Sequence, residues 1–296
     1  MTVEDHELEP HRPTLEALAF RMLGSASEAE EVVQEAFIRA LLQPPVLDGR
    51  PLRSWLVRVT CNLARDHLRK RKVRAYHGPW LPEPVRSPPS DPTLDAESQL
   101  RLSETATLAW LVAAEALTPE QRAVFLLREV LEWEVQEVGQ ALERSPGAVR
   151  SLHLRARRAL VDAPIPSPDP STLRAHRRAL HAMLTALASR DLGAVQALMT
   201  PDVTLLCDGG GEVYAAGKAL RGAERVARVL LNLSAASIQL DIEHINGLPA
   251  VVERSPPQPG WPSVSVTAIA LGPDGRICAL YNVVAPSKLR GFTAKP

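Results

Sequence analysis

The apolar residues of this chain keep two different periods, and the change between them fixes the class of fold. Up to about residue 199 they recur at three- and four-residue intervals. Leu15, Leu18, Ala19 and Met22 form one such set; Val33, Phe37, Ala40 and Leu41 another; Trp55, Leu56, Val59 and Leu63 a third. Val124, Leu127 and Leu131, then Val149, Leu152, Ala156 and Leu160, then Leu173, Leu180, Met183, Leu184 and Leu187 continue the pattern. Helices that bury one face have this spacing. Beyond it, "SIQLDIEHING", "PAVVERS", "SVSVTAIALGPDGR" and "ICALYNVV" alternate as strands do, with Asn246-Gly247 and Asp274-Gly275 as hairpin turns. "DVTLLCDGGGEV" reads as strand, glycine turn and strand, and "GAERVARVLLNL" as a helix. Helices first and a strand meander last predict a multidomain chain: two all-α domains, then an α+β cone with a curved antiparallel sheet around a cavity.

Punctuation sets the boundaries. Gly24 ends the first helix, Ser27-Glu28-Ala29-Glu30 is a capping box for the next, and Pro44-Pro45 stops it. A third helix runs from Pro51 to about Lys72. Thr118-Pro119-Glu120-Gln121 opens another, with Thr as N-cap and Pro at the first helical position. Between the helical units lies "GPWLPEP" (residues 78–84), three prolines around a tryptophan; a flexible spacer would be Gly/Ser-rich. "SPDPST" marks a second boundary. The expected division is a helical domain at 8–75, a proline-rich linker at 76–103, a second helical domain at 104–163 and the cone at 172–296.

Net charge is zero, with 34 acids against 34 Lys and Arg, but the signs are segregated. Residues 1–48 hold ten acids and three arginines; residues 50–74 hold nine basic residues and only Asp66 as acid. Residues 115–143 hold seven acids and two arginines; residues 144–158 hold five arginines and no acid. A solvated helix mixes its signs. Single-sign blocks in apolar-periodic sequence point to two kinds of partner, a protein surface for one and a polyanion for the other. The six basic or histidine-bearing positions of "HLRKRKVR" exceed what a helix dipole calls for and fit phosphate contact. The acidic, polar start is not a secretory signal, and no apolar run reaches the ~18 residues of a membrane span. Three scattered cysteines, Cys61, Cys207 and Cys278, fit buried thiols in a cytoplasmic protein and offer neither disulfide nor metal spacing.

In "EVQEVGQALERSPGAVRSLHLRARRAL" a helix carrying Val135, Val138 and Leu142 meets a short turn at Glu143-Arg144, and Ser145 caps a basic helix. This is the pattern of a helix-turn-helix whose second helix enters the major groove. Arg150 is placed to read a base or hold a phosphate, Ser151 serves either task, and Arg155, Arg157 and Arg158 lie further along the same outside face.

With these motifs in place the chain resembles a bacterial extracytoplasmic-function (ECF) sigma factor of the sigma-70 family. The resemblance rests on "AEEVVQEAFIRAL", "SWLVRVTCNLARDHLRKRK" and "LTPEQRAVFLLREVLEWEVQEVGQALERSPGAVRSLHLRARRAL", covering most of residues 11–160. It implies that Glu31, Gln34, Glu35 and Phe37 dock on core RNA polymerase. It further implies that Asn62, with Arg65, Arg69, Lys70 and Arg71, opens and reads the minus-ten promoter element, and that Ser145, Arg150, Ser151, Arg155 and Arg157 serve the minus-thirty-five element. No cofactor, metal or catalytic residue is implied. Two departures stand in the second motif: Glu143 occupies a turn position where glycine is common, and His153-Leu154 inverts the usual order.

The third domain resembles the SnoaL-like fold, used by cyclases, isomerases and ligand-binding modules, so an unknown small ligand in its pocket is one expectation. Asp208 with Asp241 or His244 would supply acid–base chemistry in an enzyme; the competing reading makes Asp208-Gly209-Gly210-Gly211 a turn and leaves His244 in solvent. A subgroup of ECF sigma factors carries this extension together with a "WLPEP" linker, a "DGGGK" turn and an "NPDKL" tail, and typically lacks a separate anti-sigma protein. Here Trp80–Pro84, Asp208–Glu212 and Ala285–Leu289 correspond, with Glu212 in place of the lysine. The implied regulatory contact joins Trp80 and Pro82 to Asp208, Gly209, Gly210, Lys288 and Leu289, with Trp80 as apolar anchor, and sets the spacing of the DNA-binding units. Two other functions fit parts of the chain: a helix-turn-helix regulator with a ligand-sensing domain, and a SnoaL-like cyclase or isomerase with an accessory DNA-binding half.

Overall fold

The computed structural model describes residues 4–42, 51–73, 76–233 and 239–292. The chain forms two compact units, interleaved in sequence: one holds the described residues of 1–74, 88–106 and 110–163, the other those of 75–87, 107–109 and 164–296.

The first unit is all helical. It contains α1 (Asp5–Leu8), α2 (Arg12–Leu23), α3 (Ala26–Leu42), α4 (Leu52–Val73), α5 (Ala96–Glu104), α6 (Leu108–Ala113) from Trp110 onward, α7 (Pro119–Glu129), α8 (Val135–Leu142) and α9 (Pro146–Leu160). Gly24 adopts φ 69° and closes α2, as a helix-ending glycine does. The helix after it begins at Ala26, and its cap lies two residues before the expected one. Ser25 is the cap, its Oγ accepting from the Glu28 amide at 3.3 Å, and Ser27 lies inside the first turn. Leu15, Leu18, Phe20, Val33, Phe37, Leu56 and Leu63 build the core of α2, α3 and α4. Leu41, expected inside, is 41% exposed. The other core joins α7, α8 and α9 through Val124, Leu127, Val138, Val149, Leu152 and Ala156.

Part of the proline-rich linker belongs to this unit. Arg21, buried at 2% exposure, donates from Nη1 to the carbonyls of Ala17 (2.8 Å) and Pro89 (2.9 Å) and from Nε to Leu102 (3.0 Å) and Thr105 Oγ1 (3.0 Å). Asp91 accepts from the Thr14 hydroxyl. Burial pushes its carboxyl up, but the hydroxyls of Thr14 and Thr93, the Thr93 amide and Arg53 outweigh that and hold it below the ordinary range.

The second unit contains α10 (Pro170–Ala188), α11 (Leu192–Ala197), β1 (Met199–Asp208), β2 (Leu220–Arg221), α12 (Ala223–Leu233), β3 (Gln239–Ile245), β4 (Leu248–Arg254), β5 (Val264–Leu271) and β6 (Ile277–Val283). The sheet order is β2-β1-β6-β5-β4-β3. Strands β3 to β6 form the expected antiparallel meander, but β1 runs parallel to β6, so the sheet is mixed. A strand that precedes α12 and the meander has to cross the domain to find its partner, and alternation alone does not give that direction. The glycine turn after β1 leads into irregular chain, and the next strand is the short β2. Leu180, Met183, Val203, Leu205, Val226, Leu231, Val251, Ile269 and Leu280 form the core between the helices and one face of the sheet.

Candidate nucleic-acid interface and linker-binding site

On α3 the sequence-derived polymerase set separates. Glu31, Gln34 and Glu35 are exposed, whereas Phe37 is 3% exposed with the Arg12 guanidinium 4.7 Å from its ring centroid. Phe37 therefore shapes the core beneath the surface. The outer stripe continues instead through Ile38 (41% exposed), Leu41 and Leu42 (77%). These positions follow Glu31, Gln34 and Glu35 at helical intervals, so one face carries carboxylates at one end and bare apolar side chains at the other. A helical wheel finds them; counting acids does not.

On α4 the five expected DNA contacts also divide. Asn62, Arg69 and Lys70 are exposed. Arg65 and Arg71 are engaged inside the unit. Arg65 Nη2 pairs with Glu120 at 2.7 Å, and Arg71 Nη2 with Glu115 at 3.1 Å, while Arg71 Nη1 donates to the Leu23 carbonyl at 2.8 Å. Glu120 also takes Arg144 at 2.6 Å, and Arg58 pairs with Glu143 at 3.0 Å. Burial pushes Glu120 up, but the hydrogen bond from Arg144 and the charges of Arg65, Arg144 and Arg69 hold its carboxyl below the ordinary value. Acids of the second helical bundle thus occupy arginines of the first.

The helix-turn-helix is formed by α8 and α9. Arg144 N returns to the Gly139 carbonyl at 2.8 Å, and a Cβ on Gly139 would stand 2.7 Å from the Arg144 carbonyl oxygen, so the tight turn requires that glycine. Glu143, where glycine is common, sits at φ 54°, ψ 50° in the left-handed region. Ser145 Oγ accepts from the Ala148 amide at 3.2 Å and starts α9. Arg150, Ser151, Arg155 and Arg157 project from the exposed face of α9, with Leu154 among them at 50% exposure. His153 Nε2 meets Glu129 at 2.6 Å.

In the second unit the linker, the glycine turn and the tail converge on Asp208. Its carboxylate is fully buried. Oδ1 accepts from the Tyr76 hydroxyl at 2.6 Å and the Gly210 amide at 3.0 Å; Oδ2 accepts from the Leu81 amide at 2.7 Å and Lys288 Nζ at 2.7 Å. Lys288 Nζ also donates to the Leu81 carbonyl at 2.5 Å and lies 4.4 Å from the Trp80 ring centroid. Trp80 is half-buried and forms a plate for this cation; the deepest linker residue is Leu81, fully buried, followed by Pro82 and Pro84. A single leucine between tryptophan and proline gave no separate signal in the sequence. Gly210 adopts φ 62°, and a Cβ on Gly209 would stand 2.7 Å from Ala215 Cβ, so both glycines serve the turn itself. Leu289 is 1% exposed and anchors the tail. Glu212 accepts from the Ser287 hydroxyl at 2.5 Å and its amide at 3.2 Å. Downstream, Val85 and Asn246 exchange two bonds, Val85 N to Oδ1 at 3.0 Å and Asn246 N to the Val85 carbonyl at 2.8 Å. Arg86 pairs with Glu243 at 2.7 Å and stacks 4.2 Å from the Phe292 ring centroid.

The acid–base grouping does not form. Asp208 ends β1, whereas Asp241 and His244 lie on β3, with β6, β5 and β4 between, roughly 19 Å at the usual strand spacing. Asp241 pairs with Arg254 at 2.8 Å, and His244 is exposed.

Comparison with known proteins agrees with this geometry. The model of Sigma-70 region 2 matches residues 8–74, and that of Sigma-70, region 4 matches residues 107–160. The ECF RNA polymerase sigma factor SigJ of Mycobacterium tuberculosis is 34% identical over 309 residues, covering 99% of this chain and 95% of that protein. The chain belongs to the ECF RNA polymerase sigma factors. A probable ECF sigma factor of the same organism, SigI, is 31% identical and covers 96% of this chain and 94% of its own length. The crystal structure of M. tuberculosis SigJ superposes with a TM-score of 0.73 at 32% identity, over 99% of this chain and 100% of that one. In sigma-factor terms α4 is the basic helix of region 2, and α8 and α9 are the helix-turn-helix of region 4. Cys61 and Cys207 are buried and Cys278 half-buried, so only two of the three thiols are inside. No helix among the described residues is long and apolar enough to cross a membrane.

Proposed function

We propose that the sigma factor docks on core RNA polymerase through the outer stripe of α3 and contacts promoter DNA through α4 and the exposed face of α9. The C-terminal domain controls it by gripping the linker between the two helical bundles. The stripe of Glu31, Gln34, Glu35, Ile38 and Leu42 pairs acids with exposed apolar side chains, a composition suited to a protein partner. Asn62, Arg69 and Lys70 at minus ten, and Ser145, Arg150, Ser151, Arg155 and Arg157 at minus thirty-five, are exposed for DNA. Arg65 and Arg71 join the DNA set by exchanging Glu120 and Glu115 for phosphates.

The observation that carries the regulatory reading is the buried Asp208 carboxylate, which takes donors from linker, turn and tail at once. Four donors saturate it as a structural acceptor, which favours a domain that acts by binding rather than by turnover. This reading assigns regulation to the fused domain instead of a separate anti-sigma protein, and the site of action to the cytoplasm, where polymerase and chromosome meet.

The test is transcription by core polymerase with full-length wild type and Lys288→Met, on a promoter library in which the distance between the two elements varies. Release of the linker is expected to broaden the range of spacings that initiate. An unchanged spacing profile, with linker release verified by hydrogen exchange, refutes the regulatory role. Loss of polymerase binding in Ile38→Asp, but not in an exposed-face control such as Arg178→Asp, tests the docking surface.

A further inference from the structure

The helices α10 and α12 and one face of the sheet enclose a cavity of about 690 Å³, within the range of sites that hold drug-sized molecules. Its helical wall is mostly apolar: Met183, Leu184 and Leu187 come from α10, and Leu230 and Leu233 from α12, beside the exposed Asn232. The sheet wall is different. Cys207, Asn282, Thr267 and Val251 are successive register partners on β1, β6, β5 and β4, and they line the cavity as one row across four neighbouring strands. Glu253 stands two residues further along β4 and lines it too.

A cone that merely packed itself would carry aliphatic side chains at these positions, because a polar group away from water costs free energy unless it is bonded. The row instead holds bonding capacity that the protein does not consume. Asn282 Nδ2 donates to Thr267 Oγ1 at 2.8 Å. That bond orients the amide and leaves its carbonyl oxygen and the Thr267 hydroxyl proton for another partner. Burial raises the Glu253 carboxyl above its ordinary value, against the hydrogen bond from Ser265. Arg190, the cation of the lining, is solvent-exposed, so screening leaves it little hold on a carboxylate.

We propose that this cavity binds an uncharged, mostly apolar small molecule, with a hydroxyl or ketone oxygen on the Thr267–Asn282 pair and its hydrocarbon body against α10 and α12. An anionic head group meets the Glu253 carboxyl with no buried counter-charge, and a cationic one finds only the uncharged Thr267–Asn282 pair on the row. Either must give up hydration without recompense, whereas a neutral oxygen gains a hydrogen bond worth roughly a factor of ten in affinity.

The probe is Nile red, an uncharged dye whose emission rises and shifts to the blue in apolar surroundings. It is titrated into the full-length protein and then displaced with 2-undecanone, 1-decanol, decanoate or decylamine. Saturable binding at one site is expected, with the ketone and the alcohol displacing dye at about one-tenth of the concentration that the charged compounds require. Thr267→Val and Asn282→Leu each erase that preference, and Leu184→Trp, which fills the apolar wall, abolishes dye binding. Thr267→Val preserves shape, so it keeps the test intact if Leu184→Trp fails to fold. The proposal is overturned by absence of saturable binding, by a displacement order indifferent to head group or favouring charge, or by a preference that survives both polar-row variants.

Discussion

Replacing Lys288 by methionine keeps most of the side-chain volume and deletes the charge that ties tail to linker. In the wild type its ammonium bonds Asp208 at 2.7 Å and the Leu81 carbonyl at 2.5 Å, against the Trp80 ring at 4.4 Å. The lysine side chain is 16% exposed and the aspartate 0%. Breaking a buried pair by removing one partner costs about 3–5 kcal/mol. Asp208 keeps three donors, from Tyr76, Leu81 and Gly210, which places the loss at the low end, about 3 kcal/mol. If that loss falls on local opening of the linker, the Leu81 amide, which donates to Asp208, exchanges about 150-fold faster. Hydrogen exchange of the segment around residues 76–86 reads this directly, with α9 as internal reference. A double-mutant cycle with Asp208→Asn should return a coupling of about 2 kcal/mol. Acceleration below about threefold at Leu81 refutes the view that this ion pair holds the linker.

Other outcomes follow from the same contacts. Glu120→Gln removes the acid that occupies Arg65 and Arg144, and is expected to raise affinity for promoter DNA about fivefold, read by fluorescence anisotropy at fixed salt; unchanged affinity counts against competition between carboxylate and phosphate. Because the folded carboxyl of Glu120 lies below its ordinary 4.5, its contribution is present above that pH and is lost as pH falls through the depressed value. Glu143→Gly relieves a left-handed backbone and should raise the unfolding free energy by about 0.5–1 kcal/mol in urea titration, net of the lost Arg58 pair. Glu253→Gln removes a carboxyl whose folded value is raised, so ionising it opposes folding. Its stabilising effect should be absent near pH 4, grow as pH rises above 4.5 and level off beyond the folded value; a gain independent of pH contradicts the assignment.

The helical half was legible because its signals are local. Caps, prolines and a 3.6-residue period placed α7 and α9 with Thr118 and Ser145 as their first residues outside the helix, and both hydroxyls do cap. The sheet was legible only as strands. The parallel pairing of β1 with β6 joins segments about seventy residues apart, and alternation carries no information on direction. The partners of Arg65, Arg71 and Arg21 were hidden for the same reason: a charged residue on a helix looks alike whether it faces solvent, phosphate or a carboxylate from a distant segment. Ile38 and Leu42 were within reach, since they continue the stripe of Glu31 and Glu35, but acid counting drew attention away from them.

The bond between Glu212 and Ser287 bears on any attempt to exchange parts between this chain and its relatives. Where the resembling subgroup has a lysine in the turn and an aspartate in the tail, this chain has an acid and a hydroxyl, and the two meet at 2.5 Å. A chimera that imports only the aspartate-bearing tail would press two carboxylates together; one that imports only the lysine would aim it at a serine. The two positions travel as a matched set, and a graft that respects sequence boundaries but splits them would yield a tail that no longer closes.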